Sequence, residues 1–185
     1  MKWNDHSKLE GFHAFLGASK YHWLNYDEDH LRQSWISFQA TAYGTRLHAV
    51  AAELIELGIR PQKSKKTFNM HVNDAISYNM TPEVVLFYSV NCFGTADAIS
   101  FRDGKLRIHD LKTGTTPAKM DQLYIYNALF CLEYGIKPFD IESELRIYQN
   151  NDILIDVPDP NSVAEVMDKI IAFDKIIMEM KEQDV

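Results

Sequence analysis

The sequence predicts an α/β protein in which a small mixed β-sheet is flanked by helices, with a mainly helical N-terminal part. Helix-forming residues dominate residues 1–80, whereas β-branched and aromatic residues dominate much of 83–150. An amphipathic segment over 160–182 closes the chain. The 185 residues are 46% hydrophobic and 24% charged, which is typical of one folded domain of ordinary size.

The helical part is predicted in pieces. The segment from Tyr43 to Gly58 is rich in Ala, Leu and Glu, and Gly58 is placed to end a helix. The aromatic-rich stretch upstream predicts short helical pieces. Residues 60–69 form a polar, basic loop, and 70–80 predict a helix that closes before Pro82.

The central part is predicted to form the sheet. Residues 83–101 favour two strands, and Asp103-Gly104 is a strong two-residue hairpin signal. The alternating segment 105–112 is the next strand, and "ESELRIYQN" (142–150) is a fourth. Between these last two strands, a helix is expected from about Pro117 to Gly135.

The C-terminal segment predicts one amphipathic helix. Ser162 and Glu165 have the spacing of a capping box in front of "VAEVMDKIIAFDKIIMEM". The resulting order is helices, three strands, helix, strand and helix, which indicates α/β layers around a small mixed sheet.

Composition excludes several classes of protein. The net charge of -7 argues against coating of nucleic acid by bulk electrostatics. Cys92 and Cys131 form no CxxC pair, so we expect reduced thiols and no iron–sulfur cluster. The start "MKWNDHSKLEGF" has no apolar leader, and no apolar run approaches ~20 residues. A cytoplasmic protein without membrane contact is expected.

The predicted hairpin brings two carboxylates together. If Asp103 and Gly104 are the loop residues, Asp97 faces Asp110 with their Cβ atoms roughly 5 Å apart. Like charges at that distance repel each other and raise one pKa. Two apolar pairs, Phe101–Leu106 and Ile99–Ile108, support this register. A slip by one residue would move them to the other face of the sheet.

A divalent cation explains such a pair. Mg²⁺ and Mn²⁺ bind carboxylate and carbonyl oxygens, and the backbone carbonyl of Leu111 is a further candidate ligand. Lys112 shares a strand face with Asp110, where it would orient or activate a water. The alternative, that Asp97 and Asp110 are solvent-facing carboxylates at strand ends, stays open at this point.

These residues carry a resemblance to a known family. "GTAD", "IHDLKTG" and "QLYIY", in this order, resemble motifs of the PD-(D/E)XK nuclease superfamily, in particular its RecB-like branch and the phage-type exonucleases. The positions that match the family motifs are His48, Asp97, Asp110, Lys112, Gln122 and Tyr126.

The resemblance implies a restriction-endonuclease-like core within a single nuclease domain over 1–185. It implies that His48, Asp97, Asp110 and the Leu111 carbonyl bind one or two Mg²⁺ or Mn²⁺ ions, and that Lys112 acts on the attacking water. It also implies that Gln122 and Tyr126 line the cleft and contact the DNA backbone; these two are four residues apart and share a helix face.

Two departures from the family pattern stand out. Some relatives carry an acidic residue at the position that Ala52 occupies here. Because alanine cannot bind a metal, Glu53 and Glu56 are the only candidate ligands for a second metal ion. The cysteines that bind an iron–sulfur cluster in some members are missing, which indicates the cluster-free kind.

Basic residues provide further candidate DNA contacts. Arg60, Lys63, Lys65 and Lys66 form a short basic loop that is either a phosphate-contacting surface or a solvated loop. Lys119 lies near the predicted start of a helix, where backbone N–H groups favour anions.

The sequence thus predicts a Mg²⁺- or Mn²⁺-dependent deoxyribonuclease, a phage or prokaryotic exonuclease of recombination, replication or repair. Its partners would be DNA and a single-strand-binding or recombinase protein, and a homo-oligomer stays open. The alternative is a nuclease-like fold that binds nucleic acid or protein without cutting.

Overall fold

The computed structural model describes residue 8 and residues 14–183. The chain divides into two compact units, Met1–Tyr43 and Gly44–Val185. Within the described residues, none of the helices combines the length and the apolar character that a membrane span requires.

The N-terminal unit contains a 3₁₀ segment, Ala18–Asn25, and the beginning of helix α1, Glu28–Glu56. The prediction of a helix starting at Tyr43 is wrong, because α1 is continuous from Glu28. The side chain of Asp27 accepts the amide hydrogen of His30 at 2.8 Å, and acidic residues in the first turn favour the positive end of the helix dipole.

The second unit is built on an open five-stranded sheet in the order β1-β2-β3-β4-β5. The β3–β4 pair is parallel and the other neighbouring pairs are antiparallel, which confirms the mixed α/β class. The elements that follow α1 are α2 Thr67–Ser77, β1 Thr81–Ser89, β2 Cys92–Arg102, β3 Lys105–Leu111, α3 Asp121–Tyr134, β4 Glu142–Gln149, β5 Asp152–Asp156 and α4 Pro160–Gln183.

The hairpin between β2 and β3 has the predicted register. Asp103 and Gly104 adopt φ values of 50° and 74°, as a turn with two left-handed central residues requires. Ile99 pairs with Ile108 and Phe101 with Leu106, so this part of the prediction is confirmed.

Strand β5 was missed by the sequence prediction. Asn150 and Asn151 have φ values of 51° and 60° and form a second tight turn, after which β5 pairs antiparallel with β4. Asparagine tolerates the left-handed conformation better than most residues. The Asn-Asn pair in front of the short apolar run Ile153–Ile155 was the available signal.

The start of helix α4 differs from the prediction. The prediction that Ser162 and Glu165 form a capping box is wrong, because α4 already begins at Pro160. Asp159 caps it, accepting the amide hydrogen of Asn161 at 3.1 Å, and proline suits the first helical position.

Helix α3 begins at Asp121 rather than near Pro117. The preceding segment is held by Gln149, whose amide group donates to the carbonyl of Gly114 at 2.7 Å and accepts from the amide of Ala118 at 3.0 Å. These bonds satisfy backbone groups that a longer helix would have used.

Two apolar clusters cover the two faces of the sheet. One packs the face that α3 and α4 cover and includes Ile99, Ile108, Leu129 and Val163. The other packs the face that α1 and α2 cover and includes Ala51, Val72, Leu111 and Tyr148. The catalytic candidates lie where the pairing between β2 and β3 ends, in the middle of β2 and at the end of β3.

A polar network ties α2 to β4. The Arg146 guanidinium donates to Asp74 at 3.2 Å, Glu144 at 3.0 Å and the Tyr78 hydroxyl at 3.0 Å. The Tyr148 hydroxyl donates to the same Asp74 carboxylate at 2.8 Å. Charge-assisted bonds of this kind are stronger than neutral ones, so they fix the position of α2 on the sheet.

Two histidines are buried beside this network. His109 is fully buried, with Nδ1 3.2 Å from the Tyr148 hydroxyl. His71 is 1% exposed, and neither of its ring nitrogens has a hydrogen-bond partner among the residues that the structure describes. Burial lowers the pKa of both, that of His71 to about 4 from its ordinary 6.5. Both rings are therefore neutral in the folded protein near pH 7.

His71 is expected to make the protein less stable in acid. Between pH 6.5 and about 4, the unfolded chain binds a proton on this ring and the folded chain does not, so the free energy of unfolding falls as the pH falls. At about 1.4 kcal/mol per pKa unit, the contribution is roughly 3 kcal/mol. Urea unfolding followed by circular dichroism at pH 7, 5.5 and 4 measures it.

His71→Leu should remove roughly 3 kcal/mol of the pH-dependent change in the free energy of unfolding. His22→Leu is the control, because His22 is exposed and the buried ring of His71 stays in place. An unchanged pH slope in His71→Leu would contradict the assignment.

Candidate active site

The site is built where the β2–β3 ladder ends. Backbone pairing stops at Ala98 and His109, and the next bond comes from a side chain: Asp97 Oδ2 accepts the Leu111 amide hydrogen at 2.7 Å. The ladder therefore stops one pair short of Asp97 and Asp110, and the predicted direct pairing of these two residues is not formed.

Asp97 faces a different side of the sheet from the one predicted. Ala96 and Ile99 belong to the cluster under α3, whereas Ala98 belongs to the cluster under α1 and α2. The alternation expected of a regular strand is thus interrupted at this point. Asp97 lies next to α1 instead of sharing a face with Ile99.

His48 on α1 meets Asp97. Its Nδ1 lies 3.1 Å from Asp97 Oδ1, and both side chains are largely buried. The hydrogen bond to Asp97 raises the pKa of His48. Burial alone would raise the pKa of Asp97, but hydrogen bonds from His48 and from the Leu111 amide outweigh it, and that pKa is lowered.

Glu83 is the site residue that sequence reasoning missed. Single ligand atoms of His48, Glu83 and Asp97 all lie within 4.8 Å of one another. Pro82 pairs with Ala98 in the β1–β2 ladder, so Glu83 is level with Asp97 on the neighbouring strand. An acidic residue at the start of a strand that pairs with the "GTAD" strand was the available signal.

The backbone at Glu83 is strained. Its φ is 51°, a left-handed conformation that costs a non-glycine residue of order 1–3 kcal/mol and is found mostly at functional sites. Burial and, after it, repulsion from Asp97 raise the pKa of the Glu83 carboxyl. The backbone strain and the unfavourable environment of the carboxylate both make it costly to place Glu83 here without a cation.

The three residues suit a small divalent cation. Ligands at about 2.1 Å from an ion stand about 4.2 Å apart when they lie on opposite sides of it, so atoms within 4.8 Å need only a small closure. Two carboxylates and one imidazole suit Mn²⁺ well and also accommodate Mg²⁺. In the described part of the chain, the helix candidates Glu53 and Glu56 do not belong to this group.

Asp110 lies beside the group without belonging to it. It is 2% exposed, and the Lys112 ammonium lies 3.1 Å from its Oδ1 and 2.9 Å from its Oδ2. Burial and, after it, repulsion from Asp97 raise the pKa of Asp110, against the effect of Lys112. The contact to Oδ2 lacks hydrogen-bond geometry, which leaves this buried oxygen without a donor among the described residues and suited to a cation.

A hydrogen-bonded chain leads from Lys112 to α3. Lys112 Nζ donates to Gln122 Oε1 at 2.7 Å, and Gln122 Nε2 donates to the Tyr126 hydroxyl at 2.9 Å. Gln122 and Tyr126 thus share a helix face, as predicted, and they position the Lys112 ammonium. Their contact with the DNA backbone stays a prediction, as does the role of the Leu111 carbonyl.

Gly94 makes room for Tyr126. A Cβ atom on Gly94 would stand 2.9 Å from Tyr126 Cε1, closer than side chains approach each other. The glycine of the "GTAD" stretch is therefore required by the packing of an aromatic ring and not by a turn.

The basic residues of the predicted loop line two different cavities. Arg60 donates to the Asn73 carbonyl and the Ser77 hydroxyl, at 3.0 Å each, and it lines one cavity together with Lys63 and Lys65. Lys66 lines a different cavity, which Lys112 also lines. Lys119 is exposed and precedes the start of α3.

Comparison with known proteins adds no assignment. A scan against models of protein families matched none of them, and a search of curated proteins found no significant match. The case for a function therefore depends on the geometry of the site.

Replacing the strained residue should separate stability from metal binding. Glu83→Gly removes the left-handed strain and one of three crowded charges, so the free energy of unfolding in EDTA should rise by about 1 kcal/mol. The same change removes a ligand and should weaken Mn²⁺ binding at least tenfold. Chemical unfolding and calorimetric titration measure the two quantities.

Asn79→Gly is the matched control, because Asn79 also has a positive φ of 49° but lies outside the candidate metal group. It should leave Mn²⁺ affinity unchanged. Equal Mn²⁺ affinity in Glu83→Gly and the wild type would remove Glu83 from the ligand set.

Proposed function

We propose that the protein is a metal-dependent nuclease that hydrolyses phosphodiester bonds in DNA, with His48, Glu83 and Asp97 as the metal-binding group. The observation that carries this proposal is the proximity of the three ligand atoms, all within 4.8 Å of one another. Next to them, a buried carboxylate, Asp110, is paired with the Lys112 ammonium at 2.9 Å.

The charge balance of the site supports a cation. Glu83, Asp97 and Asp110 bring three carboxylates together, and burial and, after it, repulsion from Asp97 raise the pKa of Glu83 and of Asp110. Without a metal, the Lys112 ammonium and the protonated form of His48 neutralise part of this charge. A bound Mg²⁺ or Mn²⁺ would supply the remaining positive charge and polarise the phosphoryl group of the substrate.

Lys112 is assigned to the attacking water and to the charge that develops on phosphorus. Its ammonium is held by Asp110 on one side and by Gln122 on the other, so its position is set before substrate arrives. Preorganised donors of this kind stabilise a transition state without reorganisation. Gln122, which Tyr126 holds in turn, is assigned to positioning Lys112.

Asp97 and His48 are assigned as metal ligands whose positions are fixed by their hydrogen bonds. Asp97 Oδ2 is fixed by the Leu111 amide, which leaves Oδ1 beside His48, where it would be available to bind a cation. The neutral imidazole is the form that binds a metal.

Conservative changes should abolish cleavage without unfolding the protein. Asp110→Asn and Lys112→Ala should each lower the cleavage rate at least a hundredfold, because the first removes a charge next to the cation and the second removes the group that acts on the water. The assay uses end-labelled linear DNA and closed circular DNA with Mg²⁺, Mn²⁺ or EDTA. Degradation of linear DNA alone indicates an exonuclease.

Asp168→Asn and Lys175→Ala, both at exposed positions on α4, are the controls and should cut like the wild type. Circular dichroism verifies the fold of each variant. Wild-type cutting by Asp110→Asn or Lys112→Ala would reject the assignment, and no calorimetric binding of Mg²⁺ or Mn²⁺ near neutral pH would favour a non-catalytic binding module.

A further inference from the structure

A cavity of about 440 Å³ adjoins the catalytic lysine. It is bounded by α1, the start of α2, the end of β3 and the turn between β4 and β5. We call it the Lys66 pocket, after the lysine at its rim. The lining residues used below are Leu47, Lys66, Phe68, Leu111, Lys112 and Asn151.

The rim of the Lys66 pocket carries hydrogen-bond donors. The ammonium of Lys66 is exposed and makes no ion pair within the described residues. Asn151 Oδ1 accepts the Thr67 amide hydrogen at 3.2 Å, which turns its amino group away from that bond and leaves it available as a donor. Lys112 also lines the pocket, but its ammonium is paired with Asp110. The Lys66 ammonium and the Asn151 amino group therefore make the rim suited to a phosphate.

The floor of the Lys66 pocket is apolar. Leu47 and Phe68 are half-buried and Leu111 is fully buried; Phe68 and Leu111 belong to the cluster under α1 and α2. An aromatic side chain at the base of a pocket can stack with a nucleobase of any sequence. An apolar floor below a cationic rim matches the two ends of a nucleotide.

The volume restricts the occupant. Pockets of about 300–1,000 Å³ hold one small ligand, and 440 Å³ is at the lower end of that range. One nucleotide can enter such a space, whereas a base pair cannot.

We propose that the Lys66 pocket binds one unpaired nucleotide of a DNA strand, adjacent to the phosphodiester bond acted on at Lys112. Its base stacks on Phe68 and its phosphate is bound by Lys66 and Asn151. This inference rests on the proposed nuclease function. It makes the site selective for a single-stranded end or a frayed terminus.

The test measures binding separately from cleavage. Fluorescence anisotropy with a fluorescein-labelled twelve-nucleotide oligo-dT is carried out on the Asp110→Asn background in Mg²⁺. Lys66→Ala should weaken binding about tenfold and reduce the slope of log K against log [salt] by about 1. Phe68→Leu keeps an apolar side chain and should weaken binding about tenfold with an unchanged salt slope.

Lys175→Ala is the matched control, a lysine on α4 that is paired with Glu179, and it should bind as the parent does. A blunt duplex of the same length should bind more weakly than the single strand and respond little to Phe68→Leu. Oligo-dT affinities of Lys66→Ala and Phe68→Leu equal to that of Lys175→Ala would overturn the pocket assignment, as would a parent protein that does not bind oligo-dT.

The two proposals fail in different ways. Loss of affinity in Lys66→Ala and Phe68→Leu, together with a wild type that cuts no DNA, supports the pocket and rejects the nuclease. A wild type that cuts DNA, together with unchanged affinities in both variants, supports the nuclease and rejects the pocket.

Discussion

The hydrogen bond from the Leu111 amide to the Asp97 carboxylate organises the site. At this point a side chain replaces a backbone acceptor, so that β2 and β3 remain joined while their ladder ends. The replacement fixes one carboxylate oxygen and leaves the other for His48. Beyond this point β3 is held by β4 instead of β2, because Asp110 pairs with Ile147 and the Lys112 amide donates to the Tyr148 carbonyl at 2.9 Å.

The negative charges of the site are crowded and only partly balanced. Its carboxylates are partly neutralised by His48 and Lys112, and the Glu83 backbone adopts a conformation that local sequence does not favour. Such an arrangement lowers stability and is retained where function requires it. The net charge of the whole chain, -7, conceals this because the relevant positive groups, His48, Lys112 and Lys66, are few and local.

Local signals in the sequence predicted much of the fold. The Asp103-Gly104 turn and its register, β1 to β4 and the ends of α1 and α3 follow from glycine placement and apolar alternation. Strand β5 was missed because its signal is a pair of asparagines, and the start of α3 was misplaced because Gln149, distant in sequence, holds the preceding loop. Glu83 was missed for a comparable reason: its approach to His48 depends on strand pairing and on a strained backbone, neither of which a linear motif records.

The contact between Gly94 and Tyr126 has an evolutionary consequence. The Tyr126 ring occupies the space that a larger residue at position 94 would need. The hydroxyl of the same side chain supports Gln122 and, through it, Lys112. A larger residue at position 94 is therefore tolerated only with a compensating change at position 126. In an alignment of relatives, a bulkier residue at the glycine position should coincide with loss of the aromatic ring on the helix, which would mark lineages whose lysine has lost its support.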